Sequence, residues 1–171
     1  MQDIFCKFKL TSVAASLCSA LGVDKPNQAN EPLEALVKLC EGKGVDRVLM
    51  YNPDAIALWI FEKYADLFTP VMLNTDVTLP LESVMPSVTP VCFGTMYTGA
   101  QPDVHGIKKY EKPVITIDTL FDALIRAGKA RTEAQKMISG EQSIFAEAKT
   151  EQGSDLFDYR AMQADMSRYE Q

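Results

Sequence analysis

The stretch 86-PSVTPVCFGTMYTGAQPDVHGI-107 holds three side chains able to do chemistry, Thr89, Cys92 and His105, and 52-NPD-54 adds the carboxylate of Asp54. Thr89 stands at the start of a run with helical character. A helix N-terminus behind a hydroxyl favours a phosphate or sulfate group in front of it. If Asp54 opens toward the same edge, a divalent cation bridging the two would lower the hydroxyl pKa and give an alkoxide nucleophile. Plainer roles exist for each residue. Asp54 suits a helix cap after a turn, and Thr89 suits an N-cap. Cys92 has no second histidine to serve as its base, so a small buried residue is the simpler reading. His105 is the only histidine, and in a D-x-H-G turn it reads as the organiser of a loop rather than a metal ligand.

The surrounding segments predict the elements that would position these groups. Residues 11–21 place Val13, Leu17 and Leu21 on one helical face, with Gly22 as a stop. A polar Pro/Asn connection follows, then a second helical run at 33–40 closed by 41-EGKG-44. The run 45-VDRVLMY-51 is β-type, and it passes through a turn into the helical pattern 55-AIALWIFEKYADLF-68. Trp59, Phe61, Tyr64 and Phe68 recur there at helical spacing and read as core. Residues 76–84 contain an edge strand at most, because Pro80 cannot donate to a central ladder. The run 113-PVITI-117 leads directly into 118-DTLFDALIRAG-128, with Asp118 as N-cap and Gly128 as C-terminal stop. Two strand-to-helix units in this order predict an α/β fold. Residues 1–130 form the expected α/β domain. Residues 131–171, rich in Ala, Glu, Gln and Lys, form a helical or partly disordered tail.

Composition narrows the partners. With 171 residues, 47% of them hydrophobic, the chain can bury a core. A net charge of −6 and no Lys/Arg-rich block argue against a nucleic-acid polymer or an anionic membrane as partner. The four cysteines lack C-x-x-C spacing, so the chain reads as a reduced, cytoplasmic protein. Residues 1–23 imitate a signal peptide, but Thr11, Ser12, Ser16 and Ser19 break the apolar stretch and favour a helix. No apolar run is long enough to span a bilayer.

The quoted stretch resembles the nucleophile segment of the alkaline phosphatase superfamily, in its nucleotide pyrophosphatase/phosphodiesterase branch. That pattern is Pro, the nucleophilic Thr, then a helix ending T-G-x-x-P-[DE]-x-H-G-I. Pro86, Thr89, Thr98, Gly99, Pro102, Asp103, His105, Gly106 and Ile107 match it without a gap. Upstream, VDRVLMYNPDAIALW resembles the family's first strand and the metal-binding aspartate that ends it, here Asp54. The likeness covers roughly residues 45–128. Residues 9–26, KLTSVAASLCSALGVDKP, are similar to a helix-and-turn segment found near the end of family domains, which would imply a rearranged order.

The resemblance implies a partial alkaline-phosphatase-like sheet flanked by helices. It implies metal-dependent hydrolysis of a small phosphorylated substrate, a phosphodiester or nucleotide pyrophosphate. Thr89 would be the nucleophile, and Asp54 with Thr89 would hold a divalent ion, zinc in most members, of which the family uses two. The chain departs from the pattern at Cys92, where the phosphodiesterases carry an Asn that holds a phosphate oxygen. It also lacks the further Asp and His ligands after Gly128. Such a chain would need a different partner chain or an oligomer to cover its incomplete face, or would be a truncated product. The alternative function is a non-catalytic phosphate-ligand or protein-binding remnant of the superfamily.

Overall fold

The computed structural model describes residues 8–53 and 56–129. Asp54 and the tail at 131–171 lie outside the described residues. Among these residues the elements are helices: α1 Val13–Ala20, α2 Glu34–Cys40, α3 Leu58–Lys63, α4 Thr69–Met72, α5 Thr89–Thr98, α6 Pro102–His105 and α7 Leu120–Arg126, with single 3-10 turns at Leu10–Ser12 and Ala65–Phe68.

The expected α/β fold, a partial alkaline-phosphatase-like sheet, is corrected by this architecture. Among the described residues there is no sheet, and strand pairing is confined to one parallel bridge between Lys9 and Glu82. The β-type runs 45–51 and 113–117 form no strand and are unpaired among the described residues. The physical reason lies in what a strand requires. A β-branched run supplies a backbone willing to extend, but its N–H and C=O groups need a neighbouring ladder. Neither run has one. Leu49 and Tyr51 accordingly stand 88% and 84% exposed, whereas Ile115 reaches the core by packing on helices instead.

The core forms where helices α1, α5 and α7 meet. Ala14, Cys18, Val91, Tyr97, Ile107, Ile115, Leu120 and Ala123 are buried together. Small residues let α1 approach its neighbours closely, and its polar ones are spent on stitching. Ser16 Oγ donates to Ser12 O at 2.8 Å and accepts from Leu33 N at 2.8 Å. The connection at 24–30 clamps the far end of α5. Gln28 Nε2 donates both to Thr98 O (2.9 Å) and to Asp118 O (2.5 Å), tying α5 to the approach to α7.

The 55–68 pattern, read as one core helix, is broken into α3 and a 3-10 turn that leads into α4. Its aromatic residues do not enter the core. Trp59 is 61% exposed and Tyr64 is exposed, while Phe61 and Phe68 pack on each other at 5.0 Å. Among the described helical elements, α3 and α4 pack only on the 3-10 turn between them, and no core helix packs against either.

Candidate functional site

Helix α5 begins at Thr89 for local reasons. Val88 is extended, and Pro90 in the first turn carries a preset φ and removes a donor that would have lacked an acceptor. Thr89 is the first helical residue, and Val88, not Thr89, holds the N-cap position. The threonine hydroxyl is therefore not used as a cap. Thr89 is half-buried, and among the described residues no hydrogen bond engages its Oγ1. Since none of the described buried side-chain oxygens lacks a partner, this hydroxyl is open to solvent. The Cys92 amide donates to Val88 O at 3.0 Å. The amides of Thr89 and Val91 have no such acceptor among the described residues. An unbonded hydroxyl and the Thr89 amide thus stand at one helix end, where the helix field favours negative charge, while the Val91 amide is buried with its residue.

The opposite end of α5 is locked. Gly99 takes φ +70° and donates to Thr95 O at 2.8 Å. Thr98 Oγ1 donates to Gly94 O at 2.7 Å and accepts from Ala100 N at 3.1 Å. The turn that follows folds back on the helix. The amide of Ile107 donates to His105 Nδ1 at 3.2 Å, so that nitrogen is unprotonated. The proton of the neutral ring therefore sits on Nε2, which donates to Thr95 Oγ1 at 3.0 Å. Burial pushes the His105 pKa below its ordinary value and keeps the ring neutral. Both nitrogens are spent inside the protein, so the one histidine of the chain is neither a base nor a ligand for Thr89. Gly94 makes room for it: a Cβ there would come within 2.9 Å of the imidazole.

Cys92 lies one turn beyond Thr89. It is half-buried rather than core, with Sγ 3.4 Å from Ser83 Oγ. The other thiols differ in setting. Cys18 is fully buried, and loss of water, with the negative charge of Asp118 second, pushes its pKa up to about 11. It is an inert packing residue. Asp54 lies outside the described residues. Two residues before it, Asn52 Nδ2 donates to Tyr97 Oη at 3.2 Å and so ties the end of the 45–53 segment to α5. Among the described residues no group of three or more His, Cys, Asp or Glu comes together as a metal site.

Sequence reasoning placed Thr89 at the helix start and His105 in the turn, but missed Thr95, Gly94, Gln28 and Ser83. Gly94 carried a legible signal, since a glycine inside a helical run marks a close approach. Thr95 and Gln28 carried none, because their partners are distant along the chain. No protein-family model, curated protein sequence or solved structure matches the chain. Among the described residues no helix is long and apolar enough to cross a membrane.

Proposed function

We propose that this chain acts on phosphoesters, with Thr89 as the nucleophile, and that it is related to the alkaline phosphatase superfamily through residues 86–107. The observation that carries this reading is the free Thr89 hydroxyl at the first turn of the ten-residue helix α5, whose other end is locked by Gly99 and His105. Attack of Thr89 Oγ1 on phosphorus would form an O–P bond, expel the ester oxygen and leave a phosphothreonine for water to hydrolyse. The Thr89 amide at the helix start would face the anionic oxygens.

A divalent cation of the zinc class belongs to this proposal as the group that would supply Lewis acidity at the hydroxyl. The described residues do not assemble a two-metal ligand set, since His105 is spent in the turn and no acidic cluster accompanies Thr89. Asp54 and Thr89 are two ligands at most. The others would come from outside the described residues, and no step is derived through the ion. The substrate class is a small phosphorylated molecule, for a chain of net charge −6 repels a polyanion. Cys18, Cys40 and Cys92 are free thiols, which suits a reducing, cytoplasmic setting.

A second reading is favoured by the exposed apolar side chains of residues 45–73. Leu49, Tyr51, Leu67 and Leu73 are each at least 76% exposed. A surface of that kind suits a protein-binding module in which the helix end holds phosphate without turning it over. One assay separates the two. Chromogenic phosphate mono- and diesters are offered to the full chain with zinc or manganese, beside Thr89→Ala. The hydrolase reading expects turnover that falls by about 10³-fold or more in the variant. Equal rates in the two proteins, with both folded, sink it and leave the binding module.

A further inference from the structure

Of the buried titratable groups among the described residues, His105 alone is held at both ends by groups that require one protonation state. Its Nδ1 accepts from the Ile107 amide at 3.2 Å, and its Nε2 bonds Thr95 Oγ1 at 3.0 Å. The ring lies 6% exposed against Gly94, and the turn it holds carries Ile107, which is wholly buried. A second proton can go only on Nδ1. There it would point an N–H at the N–H of Ile107, replacing a hydrogen bond with two donors face to face in a dry site.

The backbone of His105 itself offers the added proton some relief, which burial outweighs, and among the described residues no charge is placed to help. Helix α5 is the one helix packed against α6, and its titratable groups turn elsewhere: Cys92 to Ser83 and Tyr97 to Asn52. The residues of α5 that meet the ring, Gly94 and Thr95, are uncharged. On the turn itself, Asp103 is exposed and pairs with Lys108 at 2.8 Å. Among the described residues, a cation at His105 would find no carboxylate.

We propose that His105 is an acid-released latch: its protonation frees the 102–107 turn, Ile107 included, from α5 while helices α1, α5 and α7 stay packed on one another. The proposal stands independently of the phosphoester reading, because it concerns the far end of α5 from Thr89.

The sign of the pH dependence follows from linkage. A free imidazole titrates near 6.5, and burial holds the latched ring below that value. Above 6.5 both states are neutral and the latch is at full strength. As pH falls below 6.5, the open state takes up a proton that the closed state resists, so opening rises by up to about tenfold per pH unit.

Amide exchange resolved by NMR in the full chain tests this between pH 7.5 and 5. The protection factor of Ile107 is expected to fall by up to about tenfold per unit below 6.5. That of Ala123, bonded to Thr119 O inside α7, should hold. His105→Gln, which keeps an amide donor and acceptor without a titration, is expected to flatten the Ile107 response. Constant Ile107 protection overturns the latch. So does a parallel loss at Ile107 and Ala123, which would mean global acid unfolding, and so does an unchanged response in a folded His105→Gln.

Discussion

Residues 89–107 and residues 45–73 are both rich in apolar side chains, yet one is packed and the other is not. In the first, Val91 and Ile107 are wholly buried and every turn is closed by a named contact. In the second, Leu49, Leu67 and Leu73 are at least 76% exposed, and no core helix packs on α3 or α4. The difference is one of range. The packed stretch closes its own turns through partners within a dozen residues, Gly99 on Thr95, Thr98 on Gly94, His105 on Thr95 and Ile107, and Gln28 then clamps its end from the 24–30 connection. The open stretch begins with a β-type run, whose satisfaction depends on a strand contributed from elsewhere. Apolar content alone does not make a core; it makes one where the backbone can also be satisfied.

The sharpest way to break this comparison is at Gly99. A Cβ there would stand 2.3 Å from Ala29 Cβ and 2.6 Å from Ala29 Cα, at φ +70°. Left-handed backbone costs a non-glycine residue about 1–2 kcal/mol, and forcing the 24–30 connection away adds about 1–3 kcal/mol. Gly99→Ala is therefore expected to lose about 3 kcal/mol or more in urea unfolding. Gly44 has a similar φ of +59° but open space around it. Gly44→Ala should cost only about 1 kcal/mol. Equal losses at the two sites would mean that the clamp around α5 is not tight.

Truncation of side chains sharpens the same contrast at lower cost. Val91 is 0% exposed in the core of α1, α5 and α7. Val91→Ala removes two buried carbons and leaves a partly relaxed cavity, for a loss of about 2 kcal/mol. Leu49→Ala, although it removes more, should fall within about 0.5 kcal/mol of the parent because Leu49 is already in water. A Leu49→Ala loss approaching that of Val91→Ala would show that the 45–73 face is covered in solution.

The legible parts of the sequence were those whose signal is local. Helix α5 was legible from Thr89 at its start and T-G at its end, although its N-cap is Val88 and not Thr89, because stop geometries are properties of neighbours in the chain. Helix α2 was legible for the same reason, expected at 33–40 and found at Glu34–Cys40 with Leu33 as its N-cap. Strands were not, because β-branched runs report a willingness to extend and say nothing about a partner. Position 45–51 satisfies the pattern and fails the ladder. The single helix expected at 55–68 failed differently: its period was real, but nothing packs on the face it defines. At the site, the placement of Thr89 could be read from the sequence, whereas the pairing of His105 with Thr95 could not, since it spans ten residues with no periodic trace.

Helix α7 gives the smallest and most local test, and it also corrects an expectation. Asp118 was expected as its N-cap, yet Thr119 holds that position, with its Oγ1 accepting from Asp122 N at 3.2 Å and the Asp122 carboxylate accepting from Thr119 N at 2.9 Å. The T-x-x-D spacing one residue later makes a reciprocal capping box, which a lone Asp118 could not. Asp118 instead takes a two-pronged bond from the Arg126 guanidinium, at 2.5 and 2.9 Å, across the first two turns. Arg126 is about half exposed, so solvent screens that pair and its contribution is small. Thr119→Ala is thus expected to cost about 1 kcal/mol, and Asp118→Asn less, within about 0.5 kcal/mol. Thermal or urea unfolding of the two variants side by side decides the order. A larger loss at Asp118 would return the capping role to it and would mean that the ion pair, not the box, starts the helix.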